Sequence, residues 1–141
     1  MKRLSTAVVL CVVCLALSTS AHAADPSGTW IMANGRVTVR LSKCAANLCA
    51  RIVGLAEPVD REGRRKVDKL NPKNELRTRP LMGLTLASNL APAGNGVWKG
   101  TIYNPDDGRT YSASLKLGGS TIKVTGCMAG VFCKSQTLRR K

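Results

Sequence analysis

Residues 97–127 read VWKGTIYNPDDGRTYSASLKLGGSTIKVTGC, and this stretch decides the fold class. Three short runs, 97–104, 110–117 and 121–127, are rich in β-branched and aromatic residues and are set apart by two turn signals. In the first turn Pro105 pre-sets φ and Gly108 offers a left-handed position; Gly118-Gly119-Ser120 forms the second. The pattern predicts consecutive antiparallel hairpins.

Outward from this core the rhythm continues. Downstream, Val131 to Leu138 reads as another strand. Upstream, Arg36 to Lys43 alternates, with Val37, Val39 and Leu41 on one face and Thr38, Arg40 and Ser42 on the other. Gly28-Thr29-Trp30, Leu48 to Leu55 and Pro80 to Leu90 complete the set. Seven or eight strands joined by short turns predict an all-β, up-and-down antiparallel barrel, whose closure removes exposed strand edges. Residues 56–79 interrupt the rhythm. They are polar, basic and poor in apolar side chains, which predicts a functional or disordered loop.

The N-terminus has the three parts of an export signal: Lys2 and Arg3, the apolar run Ala7 to Leu17, and small residues in Ala21-His22-Ala23. The run is shorter than the ~20 apolar residues of a spanning helix, so a cleaved signal over 1–23 is expected rather than a transmembrane anchor. Cys11 and Cys14 lie inside the run, where a lipidated cysteine would not stand. The expected mature domain, 24–141, loses the chain's only histidine and two of its six cysteines.

In an oxidising compartment, Cys44, Cys49, Cys127 and Cys133 predict two disulfides. Of the connectivities open to four cysteines, spacing favours the local pairs Cys44–Cys49 and Cys127–Cys133, each across a hairpin mouth. Zinc knuckles space their ligands more tightly, roughly two to four residues apart, so neither metal nor cofactor is expected.

Without histidine, the expected mature domain lacks Ser–His–Asp and Cys–His nucleophilic devices. The carboxylate pairs Asp60/Glu62 and Asp68/Glu75 sit among basic residues and read as ion-paired; Asp106/Asp107 reads as a turn. The chain is therefore not expected to be an enzyme. Its largest signal is charge. With Lys2 and Arg3 removed, 20 basic residues face 8 acidic ones, a net +12, which attracts polyanions. Arg64-Arg65-Lys66 and Arg139-Arg140-Lys141 are the densest clusters. Nucleic acid is disfavoured as a partner, because basic residues are not interleaved with stacking aromatics. Arg77 and Arg79 read either as an anion clamp or as a staple to Asp60 or Asp68; alternation on an extended chain favours the staple.

The order of motifs resembles a bacterial secreted family, domain of unknown function 2147. The matching pieces include Gly28-Thr29-Trp30, Asp68…Asn71-Pro72, Arg77-Thr78-Arg79-Pro80, Trp98 to Pro105, Gly108-Arg109-Thr110-Tyr111 and Gly126-Cys127…Cys133. At Gln136-Thr137-Leu138-Arg139 the chain departs from its relatives, which carry an aromatic before Arg. The resemblance implies a lipocalin-like barrel, and such barrels often hold one small apolar ligand.

Together these readings predict an exported, periplasmic or secreted binding protein for a small amphipathic or lipid-like ligand. Trp30, Trp98, Tyr103 and Tyr111 are the candidate pocket or core residues, and Arg77 and Arg79 the candidate rim. The alternative is a module that binds polyanions or an anionic envelope component through its basic surface. A lysozyme-inhibitor role is less attractive, because many lysozymes are also basic.

Overall fold

A computed structural model describes residues 24–141; the expected export signal, 1–23, lies outside the described residues. The strands are β1 (Gly28–Met32), β2 (Val37–Cys44), β3 (Asn47–Leu55), β4 (Thr85–Pro92), β5 (Val97–Asn104), β6 (Arg109–Gly118), β7 (Thr121–Met128) and β8 (Phe132–Arg140). They form a closed antiparallel barrel in chain order, with β8 pairing back onto β1. This is the barrel expected from the strand rhythm. One turn of 3-10 helix, Asn74–Leu76, is the only helix among the described residues.

Alternation builds the core. Val39 and Leu41 are buried while Arg40 between them is exposed. Leu115, Ile122, Leu90 and Leu138 join them from other strands. Burying each such side chain is worth about 1.5–3 kcal/mol, so a one-residue register slip that turned the set outward would be costly.

One end of the barrel is closed by Trp30, which is fully buried. Its indole Nε1 donates to the Pro26 carbonyl at 2.8 Å. The Arg140 guanidinium lies 4.3 Å from the ring centroid and donates from Nη1 to the Ser27 carbonyl at 3.2 Å. A Cβ at Gly28 would come within 2.9 Å of that nitrogen, so β1 opens on glycine. Arg140 thus stacks over the closed end while remaining exposed.

Both expected disulfides are present. Cys44–Cys49 spans the β2–β3 turn and Cys127–Cys133 the β7–β8 turn.

The fourth strand begins later than expected. Pro80 to Leu84 pack beside the barrel, with Leu81 N–H donating to the Lys66 carbonyl and Gly83 N–H to the Ile52 carbonyl. Pro80 has no N–H for a ladder, and Gly83 takes a left-handed φ of 83°, so the chain turns before entering β4. The long basic segment is ordered. It folds as two small antiparallel excursions, bridged at Val59–Arg65 and Val67–Pro80. In the first, Asp60 accepts backbone N–H bonds from Glu62 and Arg64 and pairs with the Arg64 side chain at 2.9 Å. Arg64 also reaches Glu62 at 3.0 Å.

Candidate functional site

The end opposite Trp30 is open. It is framed by the β1–β2, β5–β6 and β7–β8 turns and by the long segment 56–84. Inside lies a cavity of about 320 Å³. Its apolar wall includes Met32, Val39, Leu41, Leu115, Val124 and Leu138, and its mouth includes Arg36, Glu57, Lys66, Asp107, Tyr111 and Lys134. The volume is near the lower end of the ~300–1,000 Å³ typical of small-molecule sites.

Strand β8 grades the interior from apolar to charged. Leu138, Gln136 and Lys134 follow one another on the cavity side toward the mouth. Between them Ser135 faces outward, its hydroxyl 2.9 Å from that of Thr125. Lys66 is neutralised by Glu57 at 3.2 Å. Lys134 and Arg36 have no carboxylate partner among the described residues. The mouth therefore carries charges of both signs beside an apolar wall, with Glu57, Asp106 and Asp107 among its lining and Lys134 and Arg36 as its cations outside any ion pair among the described residues.

Asp107 and Tyr111 form the opposite lip. The Tyr111 hydroxyl donates to the Asp107 carboxylate, and Arg109 N–H donates to the same group at 3.0 Å. Burial pushes the Asp107 carboxyl upward, but the Tyr111 and Arg109 hydrogen bonds outweigh it, and the net shift is downward. The bond to Asp107 raises the Tyr111 phenol. Turn aspartates are thus used locally, as the sequence suggested.

A buried polar cluster holds the long segment against the mouth. Asp68 is completely buried. Its carboxylate accepts from Tyr103 Oη at 2.6 Å, Asn71 Nδ2 at 2.8 Å, Arg79 Nε at 2.8 Å and Arg79 Nη2 at 2.7 Å. Arg79 also lies 5.5 Å from the Tyr103 ring centroid. Burial alone would raise the Asp68 pKa, but bonds from Tyr103, Asn71 and Arg79, with the Arg79 charge, bring it below the ordinary carboxylate value. Burial first, and the Asp68 contact next, raise the Tyr103 phenol. Asp68, Asn71, Arg79 and Tyr103 come from three separate motifs of the resemblance, and folding brings them together.

The six candidate ligand residues divide accordingly. Tyr103 and Tyr111 line the cavity. Trp30 closes the far end, and half-buried Trp98 packs against the core from that end. Arg79 is the staple to Asp68. Arg77 is exposed and donates from Nε to the Asn71 carbonyl at 2.7 Å, inside the loop. Neither arginine lines the cavity mouth, because the loop folds them back onto itself. Lys134, Gln136 and Leu138 were not singled out as cavity residues, yet period-two alternation on β8 carried the signal: two and four residues before a core leucine share its face.

The comparisons with known proteins agree with this architecture. A solved Helicobacter pylori protein, described as belonging to the lipocalin family, superposes with a TM-score of 0.69 and 24% identity over 83% of each chain. At that identity the likeness is one of fold. No curated protein matches the sequence. Residues 28–140 match the family described as "uncharacterized protein conserved in bacteria", and the chain therefore belongs to domain of unknown function 2147.

Proposed function

We propose that this is an exported, non-enzymatic binding protein that holds one small amphipathic ligand in the barrel mouth. The observation that carries this reading is the cavity of about 320 Å³, apolar at depth and lined by charged side chains at its lip, Lys134 among them. An apolar chain would lie on Val39, Leu115, Val124 and Leu138, with an anionic head near Lys134. Lys134 takes over the role first assigned to Arg77 and Arg79, since it lines the cavity and has no carboxylate partner among the described residues. Two disulfides support a periplasmic or secreted location. Among the described residues no helix is long and apolar enough to cross a membrane.

Leu138 offers the test. Its side chain lines the apolar wall of the cavity, next to Gln136 and Lys134 on the same face of β8. Leu138→Trp should lower affinity for anilinonaphthalene sulfonate about tenfold or more by filling the cavity, while overpacking costs about 1–3 kcal/mol of stability. Fluorescence titration and urea unfolding measure the two effects. Protein recovered from its own bacterium should also release an acidic amphipath into organic solvent, seen by mass spectrometry. An empty extract with no probe binding, or unchanged binding by Leu138→Trp, overturns the reading.

A second reading is favoured by where the charges sit. The strands carry ten Lys or Arg residues and no Asp or Glu. Arg40 stands directly opposite Arg51, and Lys116 opposite Lys123. Such an outer wall suits an anionic envelope polymer. Binding of this kind should collapse as salt rises, because exposed charges are screened beyond ~8 Å at physiological ionic strength.

A further inference from the structure

The β7–β8 hairpin ends in apolar side chains that touch solvent. Val131 and Phe132 are each 75% exposed, the most exposed large hydrophobics of the described residues. Phe132 pairs with Met128, and Cys127 pairs with Cys133 one step behind and is bonded to it. The next pair, Gly126 and Lys134, lines the cavity. The apolar tip therefore stands at the rim of the mouth on a covalently tied base. Lys134, two residues from Phe132, makes no ion pair among the described residues, and the net +12 of the expected mature domain draws anionic surfaces over a longer range.

We propose that the β7–β8 tip is a membrane-docking wedge: Val131 and Phe132 enter the interface of an anionic phospholipid surface, and Lys134 holds the headgroups. Charge and area select this occupant. Juxtamembrane cations are attracted to anionic lipid within a Debye length, and apolar side chains beside them add their own transfer energy. A second copy of this chain is disfavoured because it brings the same positive charge to the contact. Two side chains also fall far short of the ~1,000 Å² that a stable protein interface needs. A lipid surface needs no complementary shape. The disulfide holds the hairpin neck before contact, so less ordering cost falls on docking. The inference stands whether or not the cavity is occupied, because neither Val131 nor Phe132 lines it.

The experiment uses protein recovered from an exporting host, with intact mass showing that residues 1–23 are absent, since that apolar segment would itself enter lipid. Flotation is compared on phosphatidylcholine vesicles with and without phosphatidylglycerol. Wild type should float with the anionic vesicles and not with the neutral ones. The double variant Val131→Ser/Phe132→Ser should partition about tenfold less or weaker still, the loss expected when part of two apolar side chains no longer leaves water. Its urea midpoint and its binding of anilinonaphthalene sulfonate should stay at wild-type values, which separates this result from failure of the cavity reading. In Phe132→Trp, emission should shift to the blue on anionic vesicles and be quenched by brominated acyl chains. Equal flotation of the double variant overturns the proposal in favour of general charge attraction. So do absence of wild-type flotation, an unquenched tryptophan, or a dimer that the double variant abolishes.

Discussion

Asp68 shows how one buried carboxylate holds a long loop in place. Its oxygens receive bonds from Tyr103, Asn71 and Arg79, which tie the loop to β5. Asp68→Asn removes the charge that Arg79 faces. Arg79 is 35% exposed, so solvent screens part of the loss, and the expected cost is about 2 kcal/mol at neutral pH, below the 3–5 typical of a fully buried broken pair. Urea unfolding measures it. The pH dependence has a definite sign. The folded pKa of Asp68 is depressed, so its contribution is present above the unfolded carboxylate pKa of about 3.9 and is lost as pH falls through the folded value. The folded pKa of Tyr103 is raised, so its contribution is present below about pH 10 and is lost as pH rises through the folded value. The gap between wild type and Asp68→Asn should therefore be widest between about pH 5 and 9 and close in acid.

Among the elements, the β5–β6 turn and the long segment depend on each other. Gly108 has a φ of 69°, and a Cβ there would collide with the Leu70 carbonyl oxygen. The backbone of the loop thus rests on the turn, where no side chain fits. Gly108→Ala should lift the loop from the turn, with a left-handed alanine costing a further ~1–2 kcal/mol. Limited proteolysis should then cut within 56–84 faster than in wild type, while the disulfide-tied hairpins stay intact. If Gly108→Ala resists proteolysis as wild type does, the turn does not anchor the loop. The β4–β5 pairing shows a different device. Its ladder is brief, and Asn89 extends it by accepting from Thr101 N–H at 3.0 Å and donating to the Thr101 hydroxyl at 2.9 Å.

For the molecule as a whole, charge and shape are distributed unequally. All eight acidic residues lie outside the strands, and the five ion pairs among the described residues use four of the Lys and Arg residues, Arg64 serving twice. Pairing of Lys116 directly with Lys123 carries a repulsive cost of a few tenths of a kcal/mol up to ~1. Lys123→Glu should turn that repulsion into attraction, raising stability by about 0.5–1 kcal/mol at low salt. The same change should weaken binding to acidic polymers if the outer wall binds them. Thermal unfolding at low and high salt, beside a polymer-binding titration, reads both. A stability gain that persists in high salt would contradict the electrostatic origin.

Local information was sufficient for much of this protein. Turn chemistry at Pro105 and Gly108, alternation at Val37, Val39 and Leu41, and the spacing of Cys44 with Cys49 and Cys127 with Cys133 point to the barrel and its cross-links, because each acts over a few residues. The order of the strands follows from the same short turns. What the sequence could not settle was which polar residues share a site. Asp68 and Tyr103 lie 35 positions apart, and Lys134 faces Tyr111 and Asp107 across the mouth only because β8 closes on β1. Arg79 likewise chose Asp68 over solvent when the loop folded back. Hairpins are set by neighbours along the chain, whereas the cavity, the buried cluster and the exposed Phe132 tip are set by closure, which brings distant strands together and decides what remains outside.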